Sequence, residues 1–567
     1  MIATAPTKSL PAFNVKRDAR APDLAFFRRC YPETVASFGA LPRREEWLRK
    51  IWELEARRRK AWETRGGETA FDEVIVHGAP PSGRVAEAVF DVVYAGGALA
   101  LLQAAALACG HGRSALVIGA DSSTELGGNW NLSENDLLEL ASAGVLTREE
   151  TEAVVVNRHR GGLVKLHDDA SRVKTEPLWV MGALDVVVDG ERLLTLAADR
   201  LRRREGCAIV EGLRFVRAYV EPDRVTIEAE GPGGARRFFG ARLFVDAGGA
   251  DSPVLRQLNS SGHARAHLCP TVGTVARGFV RGEGRGSVDF GAYEILVSTE
   301  DARDDRQLFW EGSPGVPARD EYATRLFFFD ALDSPADKSL LALFERYFAS
   351  LDSYKRRGAR WRVERPLFGY AAVTQPRGWR KRRRMTDDRV MHLAGGTLAL
   401  GARGLDAHLS ELRRIARLTH LALESGAADA DALSQISDGG PRVAEAVGLT
   451  EFMRPAPRSA PQSVNETLSA LVAALAGLDE RVRSELFRGR VTLGTLRSLL
   501  SRTAQIYPRI FARVRERFGT RGAFWWLAGI AEAGWSERRA GAQEEQETGA
   551  GDRSRRQEQE ADEKARM

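Results

Sequence analysis

The stretch Leu243-Phe244-Val245-Asp246-Ala247-Gly248-Gly249-Ala250-Asp251-Ser252-Pro253-Val254-Leu255-Arg256 constrains the fold more than any other part of the chain. Its apolar start reads as a buried strand, its glycines as a tight turn, and its end as the opening of a helix. Such a turn lets backbone amides approach a ligand closely, and the helix N-terminus behind it favours anions. An earlier segment has the same plan. Val89 to Ala100 reads as a strand running into a glycine turn, followed by the apolar helix Leu101 to Cys109 and a second apolar run at Ser114 to Ile118. Strand, turn, helix, strand is the layout of a dinucleotide-binding unit. Set against G-x-G-x-x-G, the positions are Ala95, Gly97 and Ala100, and the middle glycine is the one that admits a pyrophosphate to the backbone. The acid that usually binds a ribose hydroxyl at the end of the second strand is absent: Ile118-Gly119-Ala120 stands there, and Asp121 comes late.

After that second strand come Gly127-Gly128-Asn129-Trp130-Asn131-Leu132-Ser133, Leu137-Leu138-Glu139-Leu140 and Gly144-Val145-Leu146-Thr147. This block resembles the Trp-Asn-aliphatic-Ser block of the CruA/CruP type of lycopene cyclase, flavoproteins related to the hydroxylase-type FAD fold. Other pieces follow in the same order: Val245-Asp246-Ala247 with Ser252-Pro253 and Arg256, Leu308-Phe309-Trp310-Glu311 with Arg325 to Phe329, Phe368-Gly369-Tyr370, and Asp388 to Met391 leading into Ala394-Gly395-Gly396-Thr397. In this last block the family's acid beside the ribityl chain is missing, while the glycines remain. The resemblance runs from about residue 85 to about residue 535. It implies an α/β fold in which a Rossmann-like FAD-binding domain interleaves with a β-sheet substrate domain, followed by a helical C-terminal region. It also implies Gly96, Gly97, Ala100, Trp130, Asn131, Ser133, Asp246, Gly248, Gly249, Arg256, Gly395 and Gly396 as cofactor contacts, with FAD acting in its reduced form and NAD(P)H as reductant.

The activity so implied is a redox-neutral cyclisation of a linear carotene end group, by proton addition, ring closure through a carbocation and proton loss. That chemistry needs an acid raised by apolar burial and aromatic faces near the cation. Glu311, beside Phe309 and Trp310, is the first candidate for the acid and Glu294 the second; Trp130 and Trp310 are the candidate aromatic faces. Loss of two acidic anchors opens other readings: a catalytically silent relative that binds carotenoid or lipid, or another FAD-dependent oxidoreductase or monooxygenase. His263 and His267 near Cys269 lack a supporting acid, so no metal is expected.

Four scattered cysteines have no metal or disulfide spacing and suit a reducing compartment. The opening residues lack a charged start and long apolar stretch, and no run approaches the ~18 apolar residues of a membrane span. A cytoplasmic protein, peripheral to the inner face of the membrane, is therefore expected. The net charge of +6 comes largely from arginine clusters. Arg377-Gly378-Trp379-Arg380-Lys381-Arg382-Arg383-Arg384 suits an anionic membrane surface or a solvated loop. No nucleic-acid-binding motif accompanies it, so nucleic acid is not an expected partner, whereas a hydrophobic carotenoid is.

Along its 567 residues the chain is expected to divide into residues 1–85, an N-terminal helical extension partly disordered to about residue 40; 86–430, the Rossmann-like domain with the substrate domain at about 260–375; 440–536, helical; and 537–567, a disordered charged tail. Glu45 to Arg65 reads as a helix, Phe215 to Glu228 as a hairpin turning at Pro222-Asp223, and Ser463-Val464-Asn465-Glu466 as a capping box. Ala523 to Ile530, apolar on all sides with paired tryptophans, suits either a membrane interface or a core-capping helix.

Overall fold

The structure, a computed structural model, describes residues 22–63, 73–81, 83–119, 128–249, 252–259, 266–282, 284–331, 334, 336–374, 384–393, 408–437, 449–487, 492–524 and 527–528. Five parallel strands form the heart of the first unit, in the order Ala208–Val210, Ala115–Ile118, Val89–Gly96, Arg236–Ala247 and Val390–His392. The two glycine turns read from sequence thus sit on adjacent central strands and end side by side. Helix Ala98–His111 returns from the first turn, and its apolar side packs with helices Gly190–Arg202 and Leu412–Ser425. The hairpin is present as Arg214–Val220 and Val225–Glu230, extending the sheet antiparallel to Arg236–Ala247.

The second unit is an eight-stranded sheet. Its centre is the run Tyr293–Val297, Phe309–Pro314, Tyr322–Phe327, Ala266–Phe279 and Arg357–Thr374, joined in that order. Strands Gly162–Lys165 and Leu178–Val180, which lie within the sequence of the first unit, complete one edge. A three-stranded sheet of Asn129–Leu132, Val186–Asp189 and Val155–Arg158 stands between the two units. Its contact with the large sheet includes a hydrogen bond from Ser313 Oγ to Asn131 Oδ1 at 3.2 Å.

Each face of the large sheet has its own cover. Helix Leu340–Tyr354 and the N-terminal helices Leu24–Cys30, Pro32–Ser37 and Arg44–Glu63 bury Phe38, Leu48, Ile51, Phe344 and Phe348 against the back. Residues 24–40, expected to be poorly ordered, are therefore helical and packed, because their aromatic residues find partners far away in sequence. Helices Leu449–Phe452, Ser463–Ala476, Glu480–Phe487 and Leu493–Ile506 cover one end of the front.

The expected capping box at residues 463–466 does not form. Ser463 is already inside the helix, whose cap is Gln462 without a side-chain bond. Glu466 instead accepts from Tyr507 Oη at 2.6 Å and the Arg172 amide at 3.0 Å, while Asn465 bonds Ser298 Oγ and Asp301. Tertiary docking has taken over groups that the local pattern assigned to a cap. Among the described residues, no helix is long and apolar enough to cross a membrane.

Candidate functional site

The first glycine turn has the shape of an anion cradle. Gly96 has φ +138°, and a Cβ there would lie 2.6 Å from the Ala247 carbonyl oxygen. Glycine is therefore required where the two central strands run closest. Gly97, the next residue, caps helix Ala98–His111 without any side-chain hydrogen bond, and among the described residues nothing lies within 4 Å of where its Cβ would stand. No described residue closes the helix N-terminus, and its free amides are what a pyrophosphate needs. Ala100 is fully buried under the helix and serves packing at the third motif position.

The second turn is held from within. Asp246 is 3% exposed, and its carboxylate accepts from the Gly248 amide at 3.0 Å, from Ser252 Oγ, and from His392 Nδ1 at 2.5 Å. This carboxylate braces the turn and ties it to the neighbouring strand. Gly248 packs directly on it, since a Cβ would meet Asp246 Oδ1 at 2.9 Å, whereas a Cβ at Gly249 would meet nothing within 4 Å. Arg256 lies exposed on the short helix Pro253–Leu258. Gly395 and Gly396 lie outside the described residues, as does most of the arginine-rich loop.

Trp130 and Asn131 lie on the strand between the two units. Trp130 packs against Gly190, and Asn131 receives the Ser313 hydroxyl. Ser133 has its hydroxyl in a capping box with Asp136, at the start of helix Glu134–Ser142. The block that carries the family resemblance thus forms a strand with a capped helix, set where the first unit meets the large sheet.

The two candidate acids do not act together, because they face opposite sides of the sheet. Glu311 is 5% exposed on the front, hydrogen-bonded by Tyr293 Oη and ion-paired with Arg325 at 3.0 Å. Glu294 lies on the back, held by Tyr354 Oη and by Lys355 Nζ at 2.8 Å. Burial pushes the Tyr354 phenol well above its ordinary value, with Glu294 adding to the shift. Neither carboxylate is an isolated acid in an apolar pocket; each has a cation and a phenol as partners. Trp310 also belongs to the back, stacked on Tyr354 at 4.8 Å. Adjacent strand residues point to opposite faces, so the expected pairing of Trp310 with Glu311 in one pocket is corrected. His267, considered for a metal, is buried and paired with Glu451 at 2.9 Å, and no metal-binding cluster occurs among the described residues.

Sequence reasoning missed the basic side of this front face. Arg325 stands opposite Glu311, and Arg365, on the neighbouring long strand, reaches toward Gly128, where a Cβ would overlap its guanidinium. Alternation along Arg357–Thr374 was the available signal, but nothing local distinguished Arg365 from the exposed arginines around it.

No family model and no curated protein matches the chain. Among solved structures, a variant of the halogenase PltM in complex with FAD is similar, with a TM-score of 0.50 and 14% identity over 78% of this chain and 96% of that one. A geranylgeranyl bacteriochlorophyll reductase-like protein from Thermoplasma acidophilum has a TM-score of 0.46 and 15% identity over 76% and 99% of the two chains. The p-nitrophenol 4-monooxygenase PnpA from Pseudomonas putida has a TM-score of 0.46 and 15% identity over 73% and 98%. The likeness to the halogenase is one of fold: the chain has the mixed α/β architecture of FAD-binding flavoprotein monooxygenases, with a helical C-terminal region.

Proposed function

We propose that this chain is an FAD-dependent enzyme of oxidoreductase or monooxygenase type. The observation that carries the reading is the N-terminus of helix Ala98–His111 behind Gly97, which has no side-chain cap and, among the described residues, no atom near the motif's central glycine. Amides at such a terminus hold a pyrophosphate, and the helix dipole adds to the attraction. Gly96 brings the adjacent strands together, and the Asp246–Ser252–His392 brace fixes the second turn next to it. Bound there, FAD supplies hydride and oxygen chemistry that side chains cannot. The absent ribose-binding acid leaves the adenosine half to other contacts. Substrate would lie against the front of the sheet, where Glu311, Tyr293 and Arg325 form a fixed polar group.

A second reading, the carotene cyclase, rests on the resemblance around Trp130-Asn131-Leu132-Ser133. Its support is that this strand touches the sheet strand bearing Glu311, through Asn131 and Ser313. In this reading the protein docks on the membrane to reach a hydrocarbon, and NAD(P)H reduces the flavin. The ion pair of Glu311 with Arg325 favours the first reading, because a paired carboxylate is a poor proton donor to an alkene.

One experiment tests both readings and a second separates them. A yellow preparation that releases a flavin spectrum on heating is expected under both, and a colourless protein that FAD cannot reconstitute would refute both. Expression in a lycopene-accumulating bacterial host is expected to yield no cyclic carotene; appearance of a mono- or bicyclic product would establish the cyclase.

A further inference from the structure

We infer that the front of the large sheet carries a carboxylate-recognition site built on Arg365 and Arg325, and that the substrate is an apolar acid rather than a neutral hydrocarbon. This rests on the reading of the chain as an FAD-dependent enzyme only in calling the acid a substrate; the site itself is argued from the sheet.

Strand register sets three rows of side chains on one face. Phe309, Phe327 and Thr271 form the first row, Glu311, Arg325, Gly273 and Leu367 the second, and Ser313, Ala323, Val275 and Arg365 the third. Successive rows lie ~6.6 Å apart, two residues of strand rise. The first row is apolar and is buried with Met453 and Leu468 of the C-terminal helices. From that end the face becomes more basic toward the strand Asn129–Leu132.

At the basic end the guanidinium groups of Arg325 and Arg365 stand in adjacent rows, near enough for their charges to repel. Glu311 takes one nitrogen of Arg325. Among the described residues, Arg365 has neither a hydrogen bond nor an ion pair. Three acids act on its charge and none is paired with it: Glu191 lies exposed in the first turn of helix Gly190–Arg202, Glu321 is taken by Arg277 at 2.6 Å, and Asp189 caps that helix. Arg365 is nevertheless half-buried, so it has given up much of its water. Burial and the neighbouring Arg325 both push its guanidinium below the ordinary value. A half-buried cation beside another cation is costly unless an anion joins it. The planar fork of arginine matches a carboxylate in two parallel hydrogen bonds, and half-buried Val275, opposite Arg365 in the third row, offers apolar contact to the rest of such a molecule.

The test is calorimetric titration of the full chain with benzoate, 4-phenylbutyrate and octanoate, against benzamide and inorganic phosphate. At least one acid is expected to bind saturably and to weaken with added salt, and benzamide to bind at least tenfold more weakly. Arg365→Met is expected to weaken the acid at least tenfold and Arg365→Lys to restore part of the loss. Because Arg365 makes no hydrogen bond or ion pair among the described residues, and methionine and lysine keep much of its length against Gly128, both variants should melt close to the wild type. Flavin content is measured on the same preparations. Acid binding without flavin leaves this site standing and removes the enzyme reading, and flavin without acid binding does the reverse. The proposal is overturned if none of the acids binds, if benzamide or phosphate binds as tightly as the best acid, or if Arg365→Met loses flavin while keeping the acid.

Discussion

Two neighbouring glycines should fail in opposite ways when substituted, and the contrast tests the cofactor assignment. Among the described residues a Cβ at Gly97 meets no atom within 4 Å, so Gly97→Val adds bulk to the space in front of the helix N-terminus. If a pyrophosphate occupies that space, the valine displaces it from the helix amides. Charge-assisted hydrogen bonds of this kind contribute about 1.5–3 kcal/mol each, so losing two weakens FAD by about 10²–10⁴-fold. The melting temperature of the flavin-free protein should hardly move. Gly96→Ala does the reverse. Its Cβ would stand 2.6 Å from the Ala247 carbonyl oxygen at φ +138°. Backbone strain and overpacking each cost about 1–3 kcal/mol, a large part of the ~5–15 kcal/mol by which a domain is stable. Flavin absorbance after reconstitution, and thermal melts of the stripped proteins, give the two readings on one preparation. A Gly97→Val protein with wild-type flavin occupancy would show that the turn is structural only. A Gly97→Val protein that melts as low as Gly96→Ala would refute the claim that the space is open.

Two further predictions concern the C-terminal helices. Glu451 is surrounded by His267, Arg454 and Arg517, and although burial opposes the shift, these partners pull its carboxyl down to about 2 from 4.5. A lowered carboxyl contributes stability that is complete above pH 4.5 and is lost as pH falls toward 2; the shift corresponds to about 2–3 kcal/mol. Acid unfolding followed by circular dichroism should therefore be shallower between pH 4.5 and 2 for Glu451→Gln than for the wild type, and superimposable curves would refute the role of the cluster. Tyr507→Phe removes the phenol that donates to buried Glu466 at 2.6 Å, and should lower stability in urea by about 1–3 kcal/mol without changing flavin content. An unchanged urea midpoint would show that this contact does not hold the helices on the sheet.

The parts of the fold that were legible are those set by local pattern. The apolar runs ending in Gly96-Gly97 and Gly248-Gly249, and the hairpin around Pro222-Asp223, are strands and turns whose reasons lie within a few residues. Contacts made across the chain were not legible. Ser463 to Glu466 has the spacing of a capping box, yet Tyr507 and Arg172 claim Glu466 because its helix is buried on the sheet. The aromatic residues of 24–40 gave no sign of order until Phe344 and Phe348, some 300 positions on, supplied the other half of their core. At the candidate site the glycine turns were readable, but Asp246 was expected to face a cofactor and instead braces its own turn. The opposition of Trp310 and Glu311 was available from alternation alone. That of Glu294 and Glu311 needed the strand register, and the meeting of Arg325 with Arg365 needed the order of three strands.

The large sheet is where both ends of the described chain converge, and this bears on how its front face recognises anything. At the back, Glu55 of the long N-terminal helix accepts from the Leu341 amide at 2.8 Å and from Ser339 Oγ at 3.0 Å, placing a carboxylate at the start of helix Leu340–Tyr354. Glu345 of that helix reaches back to the Thr34 amide at 3.0 Å, at the start of Pro32–Ser37. The long N-terminal helix thus caps Leu340–Tyr354, which in turn caps Pro32–Ser37, each with a negative charge at a positive helix end. On the front, Asn465 and Glu466 tie the C-terminal helices to loops at the sheet's edge through bonds buried from water. Bonds of this kind are expensive to leave unmade, so they resist sliding of the layers. A sheet clamped on both faces holds Glu311, Arg325 and Arg365 at fixed spacing, and fixed charges discriminate ligands far better than mobile ones. The N-terminal and C-terminal helices lie away from the glycine turns and contribute no group to them. Their effect is to hold the row of Glu311 and Arg325 rigid, and through it the place proposed for substrate.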